Sequence, residues 1–393
     1  MLTRRYCPLW RTILAPTTPE PSFTIGIEEE YLLIDGDTRD LIHKAPPTLM
    51  SACKGLMGDQ VTSEFLQCQI EVGTRPCRSI ADLREDLSRL RRSVAAVARD
   101  HNLRLMAAST HPFARGGEQE HTRKERYDVL ADELQEVVRR LMICGMHIHV
   151  GIDNDDLRID LMGQVSYVLP HFLALSTSSP FWEGRDTGLM SYRISVWDEM
   201  PRTGLPEHFD SYQEYLRHIE ILTRVGIIEN ASMLWWDVRP SCRFPTLEMR
   251  IADVCTRLED ALSVASLYLC WLRMLYRLRR SNQRWRRYAS FLINENRWRA
   301  HRYGIDKGLL DFGRGEVVPY GELLEEILDL VAEDALFFDC VQELDHLRDI
   351  VRDGTSAHRQ LATYQQAIAS GLTPEDACSR VVDRLVAESV EGL

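Results

Sequence analysis

Three adjacent glutamates lie at the centre of a predicted β-strand near the start of the chain. In the segment 23–35, alternation places apolar side chains on one face and Glu28 and Glu30 together on the other. Two carboxylates on one strand face repel each other unless a cation or basic groups neutralise them. The strand therefore fits a divalent-metal site, and it fits equally well an ion pair with some of the chain's many arginines. Glu29 falls on the apolar face, which favours a buried ion pair for that side chain.

Two further predicted strands add carboxylate and imidazole groups. At 63–74 Glu71 lies on the polar face, whereas Glu64 has the opposite parity and reaches that face only through a bulge or at a strand start. At 144–153 His147 and His149 share one face, opposite an apolar row. A histidine on a strand is more often a hydrogen-bonded filler than a ligand, so this pattern leaves both roles open.

A predicted hairpin supplies arginines. The strand 233–239 carries Arg239, and the strand 246–253 carries Glu248 and Arg250 on one face. If all five strands belong to one sheet with its apolar faces on helices, their polar faces line one cleft. Divalent cations prefer carboxylate oxygens and arginine prefers phosphate or carboxylate, so this cleft indicates chemistry on a phosphate. The alternative is a set of ordinary amphipathic strands with surface charges.

Composition narrows the class of protein. The 393 residues include 27% charged and 45% hydrophobic side chains, which is typical of a globular protein with a large core. The net charge of −12 argues against broad nucleic-acid binding. Only four of the 47 basic residues are lysines, so anion recognition must depend mostly on arginine.

The spacing of the cysteines and the absence of long apolar runs indicate the cellular compartment. Ten cysteines are scattered singly without a C-x-x-C pair, so neither a disulfide framework nor a zinc knuckle is expected. The chain has no apolar run of a signal peptide or a membrane span. These features favour a reducing cytoplasm and exclude a membrane partner. The oligomeric state stays open, with a homodimer as the candidate assembly.

The order of predicted elements gives the fold class and the domains. From about residue 258 the pattern is helical to the end, and no change in composition marks a second domain. We expect a loose lead-in over 1–22 and a single domain over 23–393. The expected fold class is α+β, with a sheet packed on helices and a helical C-terminal part.

Several nucleotide and hydrolase motifs are missing from the sequence. It has no G-x-x-x-x-G-K-[ST], no G-x-G-x-x-G after a strand, no G-x-S-x-G and no H-E-x-x-H. If the protein uses ATP, metals and arginines on a sheet must hold it.

Eight ordered motifs together resemble one known family, the carboxylate–amine ligases called glutamate–cysteine ligase type 2. The motifs are FTIGIEEEYLLID (23–35), SEFLQCQIEVGT (63–74), GMHIHVGID (145–153), SYRISVWDEMPRTGLP (191–206), WWDVRPS (235–241), TLEMRIAD (246–253), ENRWRAHRYG (295–304) and GTSAHRQL (354–361). The resemblance covers almost the whole chain from residue 23. It implies a curved antiparallel sheet similar to the glutamine synthetase catalytic domain, with divalent ions and ATP on the concave face.

The resemblance also implies roles for individual residues. Two ions, Mg²⁺ or Mn²⁺, would be held by carboxylates and one histidine: Glu28, Glu30, Glu64, Glu71, His149 and Glu248. Arginines would neutralise ATP phosphates or the substrate carboxylate: Arg193, Arg239 and Arg250 as catalytic groups, with Arg239, Arg250, Arg299, Arg302 and Arg359 binding the nucleotide. Arg359 follows a predicted helix start at Gly354, whose backbone N–H groups could face an anion.

The reaction implied by the resemblance joins an amino-acid carboxylate to an amine through an acyl phosphate. Weak formation of γ-glutamylcysteine from glutamate and cysteine, with release of ADP, is the expected activity. Three alternatives remain: a metal-dependent hydrolase using the histidines and glutamates, a phosphotransferase acting on a guanidine, and a non-catalytic binding protein.

The long loop 181–208 is the candidate lining of the acceptor pocket. It carries the aromatic residues Phe181, Trp182, Tyr192 and Trp197, and the region around Trp235 adds another. Such a surface would suit an amine bulkier than cysteine. Packing of these aromatics in the core is the alternative.

Overall fold

The computed structural model describes residues 20–122, 135 and 140–393 of the chain. Most of the lead-in predicted over 1–22 therefore lies outside the described residues. The single domain predicted over 23–393 stays a prediction.

Seven of the described strands form one sheet around the strand that carries the three glutamates. In chain order the strands are β1 (Ile25–Asp35), β2 (Val61–Ser63), β3 (Gln69–Gly73), β4 (Leu103–Met106), β5 (Met146–Gly151), β6 (Phe181–Trp182), β7 (Arg185–Asp186), β8 (Thr203–Gly204), β9 (Trp235–Trp236), β10 (Val238–Pro240), β11 (Thr246–Met249), β12 (Leu309–Asp311) and β13 (Glu316–Val318). The sheet order is β10-β11-β5-β1-β3-β2, and β4 also pairs with β1. All pairs within this sheet are antiparallel.

Helices cover the sheet and make up most of the C-terminal half. In chain order they are α1 (Leu49–Met57), α2 (Ile80–Asp100), α3 (Asp155–Val165), α4 (Leu169–Ser176), α5 (Tyr192–Trp197), α6 (Tyr212–Arg224), α7 (Leu258–Arg280), α8 (Ser290–Tyr303), α9 (Tyr320–Phe337), α10 (Val341–Asp353), α11 (Ser356–Ala369) and α12 (Pro374–Ser389). The apolar face of the sheet packs on α2 and α7. The predicted fold class, α+β with an antiparallel sheet on helices and a helical C-terminal part, is confirmed.

The central strand β1 is anchored from its apolar face by the third glutamate. Glu29 is fully buried and accepts two hydrogen bonds from Arg91 of α2, at 2.6 and 2.8 Å. Arg91 also donates to the backbone carbonyls of Cys255 and Thr256, both at 2.8 Å. This buried pair holds β1, α2 and the start of α7 in one arrangement.

Two predicted elements are each divided in the structure. The segment 63–74 is a connection followed by a strand, so Glu64 lies between β2 and β3 and needs no bulge to reach the polar face. The apolar stretch 156–178 is two helices, α3 and α4, and Pro170 lies in the first turn of α4. Proline is tolerated there because the first N–H groups of a helix have no intrahelical partner.

Among the helices of the described residues, none is both long enough and apolar enough to cross a membrane.

Candidate functional site

Cross-strand pairing aligns the predicted metal ligands other than Glu64 in three rows on the polar face of the sheet. Residues directly opposite each other on neighbouring strands project to the same face. The rows are Thr62–Glu71–Glu30, Glu28–His147 and Arg239–Glu248–His149. Because Glu28 and Glu30 are two residues apart on β1, the rows are neighbours and their side chains form one polar surface.

Glu28, His147 and Glu248 form a group that could hold a metal ion. Each offers one ligand atom, and these atoms lie within 4.8 Å of one another. Burial, and then the positive charge of Arg250, lower the pKa of His147 to about 4, so its imidazole is neutral and has a lone pair for a cation. The family resemblance named His149 rather than His147 as a ligand, whereas alternation placed both on one face and could not rank them.

His149 contacts the same carboxylate from the next row. Its Nε2 lies 3.5 Å from Glu28 Oε1, and its Nδ1 lies 3.0 Å from the Thr246 hydroxyl. Nε2 is buried and has no hydrogen-bond partner among the residues that the structure describes. Burial opposes the charged imidazole, yet the contact with Glu28 raises the pKa of His149. The pKa values of the two histidines are therefore shifted in opposite directions although both side chains face Glu28.

A second acidic group lies beside the first. Burial, and then repulsion by Glu71, raise the pKa of Glu30 to about 7, and burial with repulsion by Glu64 and Glu28 raises the pKa of Glu71 well above its usual range. A divalent cation among these carboxylates would remove the repulsion, and carboxylate oxygens are the ligands that Mg²⁺ prefers. The donor set therefore fits the predicted metal.

Glu248 is held between two arginines. Arg239 donates two hydrogen bonds to its carboxylate, at 2.9 Å to Oε2 and at 3.1 Å to Oε1. Arg250 also donates to Oε1. Burial disfavours the carboxylate, but Arg250 and Arg239 outweigh that effect and lower the pKa of Glu248. A metal on Glu248 would share this carboxylate with the arginines, so their positive charges lie next to the predicted metal position.

The predicted catalytic residue Arg193 is buried behind this surface. Its guanidinium donates to the backbone carbonyls of Ile251 at 3.2 Å and Arg250 at 3.0 Å. It is 2% exposed, whereas a group that contacts substrate directly needs an open face. The structure thus brings Arg193 next to Arg250 but turns its donors toward the backbone.

The other predicted nucleotide-binding arginines have partners away from the sheet face. Arg299 donates to the carbonyls of Gly308 and Lys307, and Arg302 lies over the Tyr303 ring. Their role in nucleotide binding stays a prediction.

Arg359 is buried in an ion-pair network. It donates to Glu388 at 2.9 Å, to Asp260 at 3.2 Å and to the Gly354 carbonyl at 2.8 Å. At the start of α11, Thr355 N–H donates to His358 and Ala357 N–H donates to the Thr177 carbonyl. The guanidinium and these N–H groups already have protein partners, and the predicted nucleotide contact remains untested.

Aromatic side chains separate into core and site residues. Phe181 and Trp182 are buried in the core, as the alternative interpretation held. Trp197 is half-buried, with the guanidinium of Arg250 5.7 Å from its ring centre. The part of the predicted acceptor lining that reaches the site is therefore smaller than the whole loop.

One arginine beside Trp235 was not among the predicted site residues. Arg202 lies over the Trp235 ring at 5.3 Å, and its buried Nη2 has no hydrogen-bond partner in the described part of the chain. Its backbone φ of +63° is a value that residues other than glycine rarely adopt. The signal was its place in the loop motif MPRTGLP, beside a predicted aromatic surface.

Two solved structures share this fold. A glutamate–cysteine ligase from Francisella tularensis in complex with AMP aligns with a TM-score of 0.69 at 13% identity, covering 95% of this chain and 90% of that chain. A bifunctional glutathione synthetase from Pasteurella multocida aligns with a TM-score of 0.64 at 13% identity, covering 94% of this chain and 53% of that chain. At this identity the likeness shows the fold.

Sequence comparison establishes the family. The model of the family described as "Glutamate-cysteine ligase family 2" matches residues 24–380. A Rhodospirillum rubrum protein named "Putative glutamate--cysteine ligase 2" is 59% identical over 378 residues, covering 95% of this chain and 97% of that protein. A Jannaschia protein of the same name is 53% identical, covering 95% of this chain and 98% of that protein. The chain therefore belongs to glutamate–cysteine ligase family 2.

Proposed function

We propose that this protein is an ATP-dependent ligase that joins an amino-acid carboxylate to an amine, with glutamate and cysteine as weak substrates. The proposal depends on one observation: a single sheet face brings together two clusters of carboxylates and the two arginines, Arg239 and Arg250, that bind Glu248. ATP and a carboxylate substrate are both anions, and such a face can neutralise them together. Membership of the family supports the same reaction class.

The residues that would hold divalent ions fall into the two groups already described. Glu28, His147, His149 and Glu248 would hold one ion, and Glu30, Glu64 and Glu71 would hold another. When bound, Mg²⁺ or Mn²⁺ supplies positive charge that offsets the charge on the phosphate oxygens. The raised pKa values of Glu30 and Glu71 support this assignment, because a cation is the partner that crowded carboxylates lack.

The chain's own arginines bind and orient the reactants. Glu248 holds both Arg239 and Arg250, and backbone carbonyls hold Arg239 as well, so their positive charge is in place before the phosphoryl group moves. Arg202 has an unpartnered buried donor beside Trp235, which suits the α-carboxylate of an amino acid. Trp197 and Trp235 would exclude water from the acyl phosphate.

The bonds made and broken define the two steps. A carboxylate oxygen of the substrate attacks the γ-phosphorus of ATP, the bond to the bridging oxygen breaks, and ADP leaves. The amine nitrogen then attacks the acyl carbon, phosphate leaves, and the amine gives up a proton as the amide forms.

The experiment that tests the proposal is a matrix of amino acids and amines, each incubated with the protein, Mg²⁺ and ATP. We expect ADP release that depends on both a carboxylate and an amine, with one amide formed per ADP. Turnover without ATP would indicate a metal-dependent hydrolase instead. ADP formed without amide, in the presence of a guanidine, would indicate a phosphotransferase.

A further inference from the structure

Asp253 is a buried carboxylate to which the proposed reaction gives no role. Its Oδ2 accepts hydrogen bonds from the Ser178 N–H at 2.9 Å and the Ser179 hydroxyl at 2.8 Å. Its Oδ1 accepts one from the Ser191 hydroxyl at 2.8 Å and lies 4.0 Å from Arg193 Nη1. Burying a charge is costly unless partners compensate it, and here every one of these partners comes from the segment 178–193.

These partners converge on Arg193. Ser191 immediately precedes α5, the helix that carries Arg193. The Ser179 hydroxyl, which donates to Asp253, also accepts a hydrogen bond from the Arg193 N–H at 3.1 Å. Asp253 thus holds the start of the helix, the backbone of Arg193 and, by charge, its guanidinium.

Arg193 in turn packs against Gly145 at the beginning of β5. A Cβ atom on Gly145 would lie 2.5 Å from Arg193 Nη2, so a residue with a side chain would displace the guanidinium. The backbone of Gly145 also pairs directly with Asp253 as an antiparallel bridge. Arg193 and Asp253 therefore fix the position of Gly145 from two sides.

Gly145 fixes one of the predicted metal ligands. Its N–H donates to the Glu30 carboxylate at 2.7 Å, and its carbonyl accepts from the Glu30 N–H at 3.2 Å. Of the contacts that connect Asp253 with Glu30, only the hydrogen bond from the Gly145 N–H is made to the Glu30 carboxylate itself. A shift of Gly145 would therefore move or release the carboxylate of Glu30.

We propose that Asp253 is a positioning residue of the metal face, which holds Arg193 against Gly145 and thereby sets the place of the Glu30 carboxylate. The proposal rests on the proposed function, because it takes Glu30 as a metal ligand. Partners outside the ligand shell commonly change metal affinity by about 10- to 100-fold when removed. Because Asp253 acts on Glu30 only indirectly, through Arg193 and Gly145, we expect an effect at the lower end of that range.

The test is Mn²⁺ binding to the full chain, measured as free Mn²⁺ by electron paramagnetic resonance. Asp253→Asn keeps the size of the side chain but removes its charge, and we expect the Kd for Mn²⁺ to rise about 10-fold. Ser179→Ala, which removes the hydroxyl between Asp253 and Arg193, should weaken binding in the same direction by less. This milder variant carries the test if Asp253→Asn does not fold.

A matched control separates positioning from general loosening. Asp334 is equally buried and is paired with Arg273 and Arg277 on α7, away from the sheet. Asp334→Asn should leave the Kd for Mn²⁺ unchanged. Adding Asp253→Asn to Arg193→Met should weaken binding no further than the larger single effect, because one route carries both.

Each outcome decides the inference. Unchanged affinity in folded Asp253→Asn, or equal weakening by Asp334→Asn, would overturn it. A wild-type protein that binds no Mn²⁺ would overturn both this inference and the proposed function. A wild-type protein that binds Mn²⁺ but forms no amide would overturn the proposed function alone, and the comparison of variants would still stand.

Discussion

Glu28 contacts both histidines of the site, so its charge is central to the metal assignment. Burial alone would raise the pKa of Glu28, but its contacts with His147 and His149 lower that pKa, and the carboxylate is ionised. Glu28→Gln is nearly isosteric and cannot balance a dication. We expect turnover to fall by more than the roughly 10- to 100-fold caused by loss of an outer partner. Glu85→Gln, at an exposed position of α2, is the control and should match wild type.

The two histidines provide a second prediction at the scale of the residue. Both His147→Ala and His149→Ala should weaken Mn²⁺ binding at least about 10-fold, because each removes a nitrogen beside Glu28. Isothermal titration with Mn²⁺ measures the effect. Wild-type affinity in His147→Ala would show that the group Glu28–His147–Glu248 is not the metal site, and it would favour the assignment based on His149.

At the scale of the element, β1 depends on the buried pair between Glu29 and Arg91. Removing one partner of a buried ion pair leaves the other uncompensated, which commonly costs about 3–5 kcal/mol. We expect Glu29→Gln to lower the free energy of unfolding by about this amount in urea denaturation. Glu325→Gln, which breaks an exposed pair with Arg348, should cost at most about 1 kcal/mol. Equal losses in the two variants would mean that Glu29 does not anchor the strand.

The faces of the strands were predictable, whereas their registers were not. Alternation has a period of two, so it placed Glu28 and Glu30 together and Glu29 apart, as the structure has them. The register that sets His147 opposite Glu28 depends on contacts between strands distant in sequence. Glu64 lies in the connection between β2 and β3, where the alternation of a strand does not apply, and the position of this connection was also not predictable from the sequence pattern.

The partners of the arginines were also only partly predictable from the sequence. Their side chains are long and pair with whichever carboxylate the tertiary structure brings near. The resemblance assigned Arg193 to ATP phosphates or the substrate carboxylate and Arg359 to nucleotide binding, and the structure gives both of them buried protein partners. Glu248 with Arg239 and Arg250 was predictable because all three lie on two strands of one hairpin.

For the whole molecule, buried neutral histidines predict a loss of stability in acid. Burial lowers the pKa of His111 to about 4, and its Nδ1 accepts hydrogen bonds from the N–H groups of Phe113 and Ala114. The unfolded chain binds this proton near pH 6.5 and the folded chain does not, so stability falls as the pH drops from 6.5 toward 4. His171 and His301 are shifted in the same direction, also to about 4.

Urea denaturation at two pH values tests this prediction. Between pH 7 and pH 5 a single histidine with these pKa values contributes about 2 kcal/mol of lost stability. His111→Gln removes the titrating group, and its loss over the same interval should be smaller by about that amount. His218→Gln, on α6 at the surface, is the control. If His111→Gln shows the full wild-type loss, then His111 does not contribute to the acid sensitivity.

We propose an acyl-phosphate ligase reaction on the sheet face that carries the predicted metal ligands. The most direct measurement follows ¹⁸O from the carboxylate of the substrate that best supports ADP release. We expect one labelled oxygen to appear in inorganic phosphate for each amide formed, since phosphate leaves with an oxygen of the carboxylate. Amide formation or ADP release with no ¹⁸O in the phosphate would contradict the proposed reaction.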